Sequence, residues 1–392
     1  MVTSLTASAR GHWLVSTYAV VHGVGEFLTA LTLFSLFTIG HATGGEIVIY
    51  SVLAFGCPSL IALLAYGRRL GKQTEGRIGL TGTVLMAAGI LAAPLSWAAA
   101  VLLGVGSATF HIAAGTATLK MPNRGTAVGV FESTGAVGLA LGGVLGADVW
   151  HTMAVSYWSY VAAAVLIVGG FVVLIWGTAH ELPGLSAELP ADNNVHAPQP
   201  SQKPSFTGLV GWMTGNNAVL PTTKSWTLPA GVGRAPFVAL SALTIISITR
   251  AVTGFAAPQP WKDTTTMVLV ASILVAVGRA VGGVAADRYG FALPAVFAFT
   301  VAAVFLGAGT AWAGLIGVCF LAGTMAPVIL ALVAITGRPS FAFGLAQLFQ
   351  VPAAFTAGFI FLPGVTAVVM VCCVILIFVI RPLDSRRIYV AA

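Results

Sequence analysis

Long apolar runs alternate with short polar turns along nearly the whole chain. The runs cover residues 13–38, 47–67, 78–95, 97–118, 126–148 and 156–178, then 235–257, 265–286, 291–308, 312–334, 341–361 and 364–380. Most are about 18 to 26 residues long, and at about 1.5 Å per residue a helix of that length crosses a hydrocarbon core of about 30 Å. The pattern predicts an all-α membrane protein of twelve transmembrane helices in two pseudo-symmetric six-helix bundles. Between the two groups, residues 179–234 are rich in Pro, Ser, Asn and Gly and lack the periodic apolar pattern of a folded domain. The predicted organisation is an N-terminal bundle over 1–178, a cytoplasmic linker over 179–234, and a C-terminal bundle with a short cytoplasmic tail over 235–392. Residues 206–213, FTGLVGWM, read either as an interfacial segment or as part of a flexible loop. The first run is as long as a spanning helix and has no small-residue cleavage site after it, so it reads as a retained helix and not as a signal peptide.

Composition agrees. Of 392 residues, 58% are hydrophobic and 7% charged, against about 25% charged in a soluble domain. The 46 glycines suit helices that approach closely in lipid. The net charge of +7 is explained by loops on one side of the membrane and does not imply nucleic acid. With both termini cytoplasmic, Arg68, Arg69, Lys72, Arg77, Lys120, Arg124, Arg279, Arg288, Arg338 and Arg381 all fall at or near the inner side, and Lys262 alone falls outside. The four cysteines lie in apolar runs without CxxC spacing and read as packing residues.

The two groups of six repeat one another weakly. Arg124, Gly129 and Glu132 correspond, at an offset of about 215, to Arg338, Gly344 and Gln347, each set opening a span after a short basic turn. Repeated halves with a substrate held between them are the architecture of alternating-access carriers.

Ionisable residues inside spans are few, and each costs at least about 3 kcal/mol in hydrocarbon, so each faces a partner, a cavity or a conducted ion. His22 and Glu26 lie four apart on one face of the first span. Counted from Trp13, they sit roughly 14 Å and 20 Å along it, bracketing the membrane centre. A carboxyl group in that setting exchanges a proton near neutral pH, and a histidine partner stabilises its ionised form; the bland alternative is a tether between helices. His111 in the fourth span and Glu132 in the fifth can approach a common layer across the MPNRG turn. Glu132 precedes Gly135, Gly138, Gly142, Gly143 and Gly146, a face free of side chains that suits close helix contact. Arg250, in the seventh span, is a buried cation that can hold an anionic substrate, pair with an acid or snorkel outward. Arg279, Asp287 and Arg288, in GRAVGGVAADRYG, read as a gate brace where the eighth span meets the cytoplasm.

These motifs resemble the major facilitator superfamily. GGVAADRYG is similar to its loop motif of Gly, Asp-Arg and Gly, and the fifth-span glycines are similar to its antiporter motif without the proline. Shorter motifs resemble the fosmidomycin-resistance-like efflux group: His22 and Glu26 in HGVGE, then Gly104, Gly106, Ser107, Phe110 and His111 in GVGSATFHIA, with Ile112 and Ala113 in place of Pro-Glu. Phe131-Glu132 stands where that group has Phe-Gln, and Arg250 with Gly254 resembles its seventh-span pattern.

The expectation is a proton-coupled secondary transporter of a small organic anion, monomeric, in the cell membrane, and working by efflux as the resemblance implies. Its partners are the lipid bilayer, protons and a small-molecule substrate. Glu26, Glu132, His22 and His111 are expected to couple protons. Arg250, His22, His111, Glu132 and Gln347 are expected to contact substrate. The alternatives are an uptake symporter, and a transition-metal carrier using His22, Glu26, His111 and Glu132. A membrane enzyme or sensor is disfavoured, because the chain has no HExxH run, nucleophile elbow or phosphate-binding loop. No cofactor or resident metal is expected.

Overall fold

A computed structural model of the chain describes residues 7–66, 74–148, 156–180, 235–256, 262, 264–352, 370–371, 373–378 and 381. Within them the secondary structure is helical, without strands. The first six helices are α1 (Ala7–Thr38), α2 (Gly44–Ile61), α3 (Thr74–Leu91), α4 (Ser96–Leu119), α5 (Arg124–Asp148) and α6 (Trp158–His180). After the 181–234 segment come α7 (Ala235–Ala251), α8 (Thr265–Tyr289), α9 (Ala292–Gly307), α10 (Ala311–Gly323), α11 (Met325–Thr336) and α12 (Pro339–Leu348). Helices α2 and α7 each end in a π-helical turn, Ala62–Tyr66 and Val252–Ala256.

Among the described residues, seven spans are long and apolar enough to cross a membrane: α1, α2, α4, α5, α6, α8 and the joined pair α10 and α11, which break at Thr324 within one apolar run. Helices α7 and α9 are shorter apolar helices, and α3 opens on the charged residues Glu75 and Arg77. The outward faces carry Leu60, Leu64, Phe171, Ile175, Phe297 and Val304, all exposed. So much apolar surface turned outward is stable only with lipid as its solvent, and the chain is a multi-pass membrane protein. Three of the predicted runs meet limits here. The run at 312–334 is two helices, and that at 341–361 is described only as α12 and the residues up to 352. Most of 364–380 lies outside the described residues, as do residues 206–213 and nearly all of the predicted linker, whose first two positions still belong to α6.

Helix packing follows the glycines. Helix α1 runs along α5, where a Cβ added at Gly138 would strike the Gly23 carbonyl and one at Gly142 the Phe27 carbonyl, so the two backbones touch over successive turns. Helix α3 lies between α4 and α6, with Gly82 against the α4 backbone at Gly106 and Phe110. The segments before and after residues 181–234 meet chiefly through two equivalent contacts, α5 on α8 and α2 on α12, with α4 also touching α12. Each pairs the fifth helical span of one segment with the second of the other, as a pseudo-two-fold arrangement requires. In the first, Gly125 and Gly129 lie against the α8 backbone at Gly283 and Arg279; in the second, Gly344 lies against Pro58 and Ser59.

Polar links close the helix ends. Asp287, on α8, accepts hydrogen bonds from the backbone N–H groups of Gly125 and Thr126 at 2.8 and 2.7 Å and from the Thr126 hydroxyl at 2.8 Å, capping the N-terminus of α5 with a carboxylate. Lys120 pairs with Glu75 at the same end of the bundle. At the opposite end, Thr43 and Glu46 form a capping box for α2, and Glu46 also accepts from the Ser96 hydroxyl of α4 at 2.8 Å.

Candidate functional site: two buried polar clusters

The helix periodicity of α1 puts His22 one turn from Glu26, and that of α4 puts Ser107 one turn from His111. All four converge. The Nε2 atoms of His22 and His111 face each other at 2.9 Å. His22 Nδ1–H donates to the Phe131 carbonyl at 2.8 Å, and His111 Nδ1 is 2.8 Å from the Ser107 carbonyl, 3.1 Å from the Ser107 hydroxyl and 3.8 Å from Glu26 Oε1. Glu26 accepts from the Ser107 hydroxyl at 2.7 Å and from the Tyr50 hydroxyl of α2 at 3.0 Å. His22, Glu26 and His111 are all buried. The Phe131 ring stacks on His22 at 4.2 Å between centroids, and Gly135 leaves room for the imidazole where any Cβ would collide with it.

The second cluster forms where α5 meets α8 and α12. Arg279 Nη1 donates to the Glu132 carbonyl at 2.6 Å and pairs with its carboxylate at 3.3 Å. Gln347 Nε2 donates to Glu132 Oε1 at 3.0 Å, and Gln350 in turn donates to Gln347 at 2.5 Å. Glu132 and Gln347 are the two positions that correspond in the internal repeat, so a hydrogen bond joins equivalent side chains across the pseudo-symmetry axis. Arg250 is 4% exposed, lies within electrostatic range of Arg279 and Glu132, and has an Nε atom without a hydrogen-bond partner among the described residues; Arg279 Nε is equally unpartnered. Arg279 alone pairs directly with the Glu132 carboxylate, and the Arg250 guanidinium lies within its electrostatic range.

The arrangement divides the residues singled out by sequence differently from the expected grouping. His22, Glu26 and His111 come together. Glu132 makes no ion pair or hydrogen bond with them among the described residues and belongs instead with Arg279, Gln347 and Arg250. Arg279 is not beside Asp287 and Arg288 at the helix end: it is buried with Glu132, eight residues and therefore about 12 Å deeper along α8. Asp287 caps α5 as described, and Arg288 stacks over the Tyr289 ring at 5.6 Å. Of the four-residue metal set, His22, Glu26 and His111 have ligand atoms within 4.8 Å of one another, and Glu132 stands apart with Arg279. The two Nε2 atoms stand 2.9 Å apart, a hydrogen-bond length. Ser107 and Tyr50 complete the first cluster without having been singled out for it; the i, i+4 spacing of Ser107 to His111 was the available signal.

Equivalent helix contacts related by a pseudo-two-fold axis, with buried ionisable side chains beside them, characterise a fold that solved membrane transporters share. The structure is similar to that of the human organic anion transporter MFSD10 (TETRAN), with a TM-score of 0.56 and 16% identity over 93% of this chain and 99% of that one. It is also similar to a variant of the E. coli fucose:proton symporter FucP, with a TM-score of 0.52 and 15% identity over 96% of this chain and 98% of that one. No protein-family model matches the chain, and no curated protein sequence does.

Proposed function

We propose that the protein is a proton-coupled secondary transporter that moves a small organic anion by alternating access. The observation that carries this reading is the second cluster: Arg250 and Arg279 are both buried, and among the described residues Glu132 is the carboxylate that faces them, paired to Arg279 and within electrostatic range of Arg250. The surplus positive charge calls for an anion, and a guanidinium fork suits a carboxylate or phosphate group. The cluster joins both segments, so an anion bound there touches both sides of a rocking interface. Protons are exchanged at the cluster of His22, His111 and Glu26 and at Glu132, and a few kcal/mol of differential stability suffices to shift inward-open and outward-open populations.

In this reading the chain comprises bundles over 1–178 and 235–392 joined by the cytoplasmic linker 179–234, with twelve spans, both termini cytoplasmic and a monomer as the working unit in the cell membrane. Asp287 and Arg288 brace the cytoplasmic gate. Export is favoured by the HGVGE and GVGSATFHIA motifs, which resemble those of the fosmidomycin-resistance-like efflux proteins. The names of the two structural neighbours, an organic anion transporter and a sugar:proton symporter, support an anionic solute and proton coupling.

The test is flux of a panel of organic anions into proteoliposomes under an imposed pH gradient. The Glu26→Gln, Glu132→Gln double variant is expected to lose at least about tenfold in gradient-driven flux, the scale of 1.4 kcal/mol. Undiminished gradient-driven flux in that variant defeats the coupling assignment.

A further inference from the structure

The hydrogen-bond geometry of the first cluster fixes how many protons it holds. A carbonyl oxygen only accepts. His22 Nδ1 lies 2.8 Å from the Phe131 carbonyl and His111 Nδ1 2.8 Å from the Ser107 carbonyl, so both Nδ1 atoms carry a proton. The Ser107 hydroxyl cannot supply His111 Nδ1 instead, because its one proton goes to Glu26 at 2.7 Å; it accepts from Nδ1 at 3.1 Å. With both Nδ1 sites filled, two neutral rings would present bare lone pairs to each other across the 2.9 Å between their Nε2 atoms. That distance is the length of an N–H···N bond, and such a bond needs a third proton.

We infer that His22 and His111 form an imidazole–imidazolium pair sharing one proton between their Nε2 atoms, with Glu26 as its ionised counter-ion. The pair carries one positive charge and Glu26 one negative charge, so the unit is neutral and can be buried. The groups facing it fit this inventory. From α1, the Glu26 carboxylate accepts two hydroxyl protons, from Tyr50 on α2 and Ser107 on α4, and stands 3.8 Å from His111 Nδ1. From α5 come the Phe131 carbonyl and ring; from α8 the Arg279 cation faces His22 from a distance and opposes a positive charge there, but its own charge is paired with Glu132. Resting on the proton-coupled reading above, the proton exchanged in transport is the one between the rings. Its departure to water breaks the Nε2–H···Nε2 bond, returns two neutral rings and sets their lone pairs in opposition. Helix α1, bearing His22, must then part from α4, bearing His111.

The experiment is nitrogen NMR on the full chain, labelled with 15N-histidine, in lipid nanodiscs at neutral pH. Two Nε2 resonances joined by a through-hydrogen-bond 15N–15N coupling, with both attached Nδ1 atoms protonated, are expected. Absence of that coupling, or one Nδ1 without a proton, overturns the inference, and the unsubstituted chain decides it even where a variant fails to fold. Assignment follows from loss of the coupling in His22→Gln and in His111→Gln; a coupling that survives either belongs to other histidines and overturns it equally. In Glu26→Gln the coupling is expected to fall at least twofold in intensity, and full retention refutes the counter-ion. The transport reading fails separately: a chain with the coupling intact that moves no anion or proton in liposomes is no carrier, yet keeps the shared proton.

Discussion

At the scale of single residues, the ion pair of Glu132 and Arg279 is the most costly element to disturb. Both side chains are buried, and removing one partner leaves the other as an uncompensated charge, which costs about 3–5 kcal/mol. Arg279→Met is therefore expected to lower apparent stability in detergent by about that amount, read from thermal or denaturant unfolding. The double variant Glu132→Leu, Arg279→Met is expected to recover part of the loss, since the paired charges leave together while the buried charge of Arg250 stays behind; equal losses in the single and double variants would count against a buried pair. Sequence spacing made part of this chemistry legible. His22 with Glu26 can be read from one helical turn, because a four-residue interval fixes a shared face. Arg279 cannot be read in the same way: its neighbours Asp287 and Arg288 suggest the helix end, and only the depth of two further turns places it in the interior. Ser107 and Tyr50 stay hidden because hydroxyl residues are common in helices and reveal a partner only once another helix is docked.

At the scale of helices, the contact of α1 with α5 depends on where a glycine faces. Gly138 and Gly142 lie on carbonyl oxygens of α1, whereas a Cβ at neighbouring Gly143 would meet only the Phe34 ring, at 3.4 Å. Gly138→Ala is accordingly expected to lose folded, monodisperse protein on size-exclusion chromatography, while Gly143→Ala is tolerated within about 0.5 kcal/mol. Similar yields for both would show that α1 and α5 can separate without cost. Apolar length identifies these helices well, because lipid imposes a minimum span. Their ends are set otherwise. Helix α3 begins at Thr74, four residues before its apolar run, with Glu75 paired to Lys120, and the run at 312–334 divides at Thr324 although hydropathy is continuous through it. Pairing and backbone breaks of this kind leave little trace in a hydropathy profile.

At the scale of the whole molecule, two helix contacts related by pseudo-symmetry join the segments, and each is reinforced by glycine at the points of closest approach. The weak repeat in the sequence pointed to that symmetry, since Glu132 and Gln347 correspond there before they are seen to touch. The hydrogen bond between them carries a further consequence for how the two halves can vary. Residues that meet on an axis of this kind are each other's environment, so neither can change alone. Identical acids at both positions would form a carboxylate dyad about 3 Å across, whose mutual repulsion favours a shared proton against the opposing pull of Arg279 and Arg250. The amide at Gln347 removes that repulsion and leaves Glu132 to Arg279. Gln347→Glu should therefore create the dyad, adding a protonated-carboxyl stretch in the infrared spectrum near neutral pH that is absent from the unsubstituted chain and from Gln347→Met. A chain whose halves were exact copies would hold two acids face to face on its axis, and the acid–amide pair of Glu132 and Gln347 spares this molecule that repulsion.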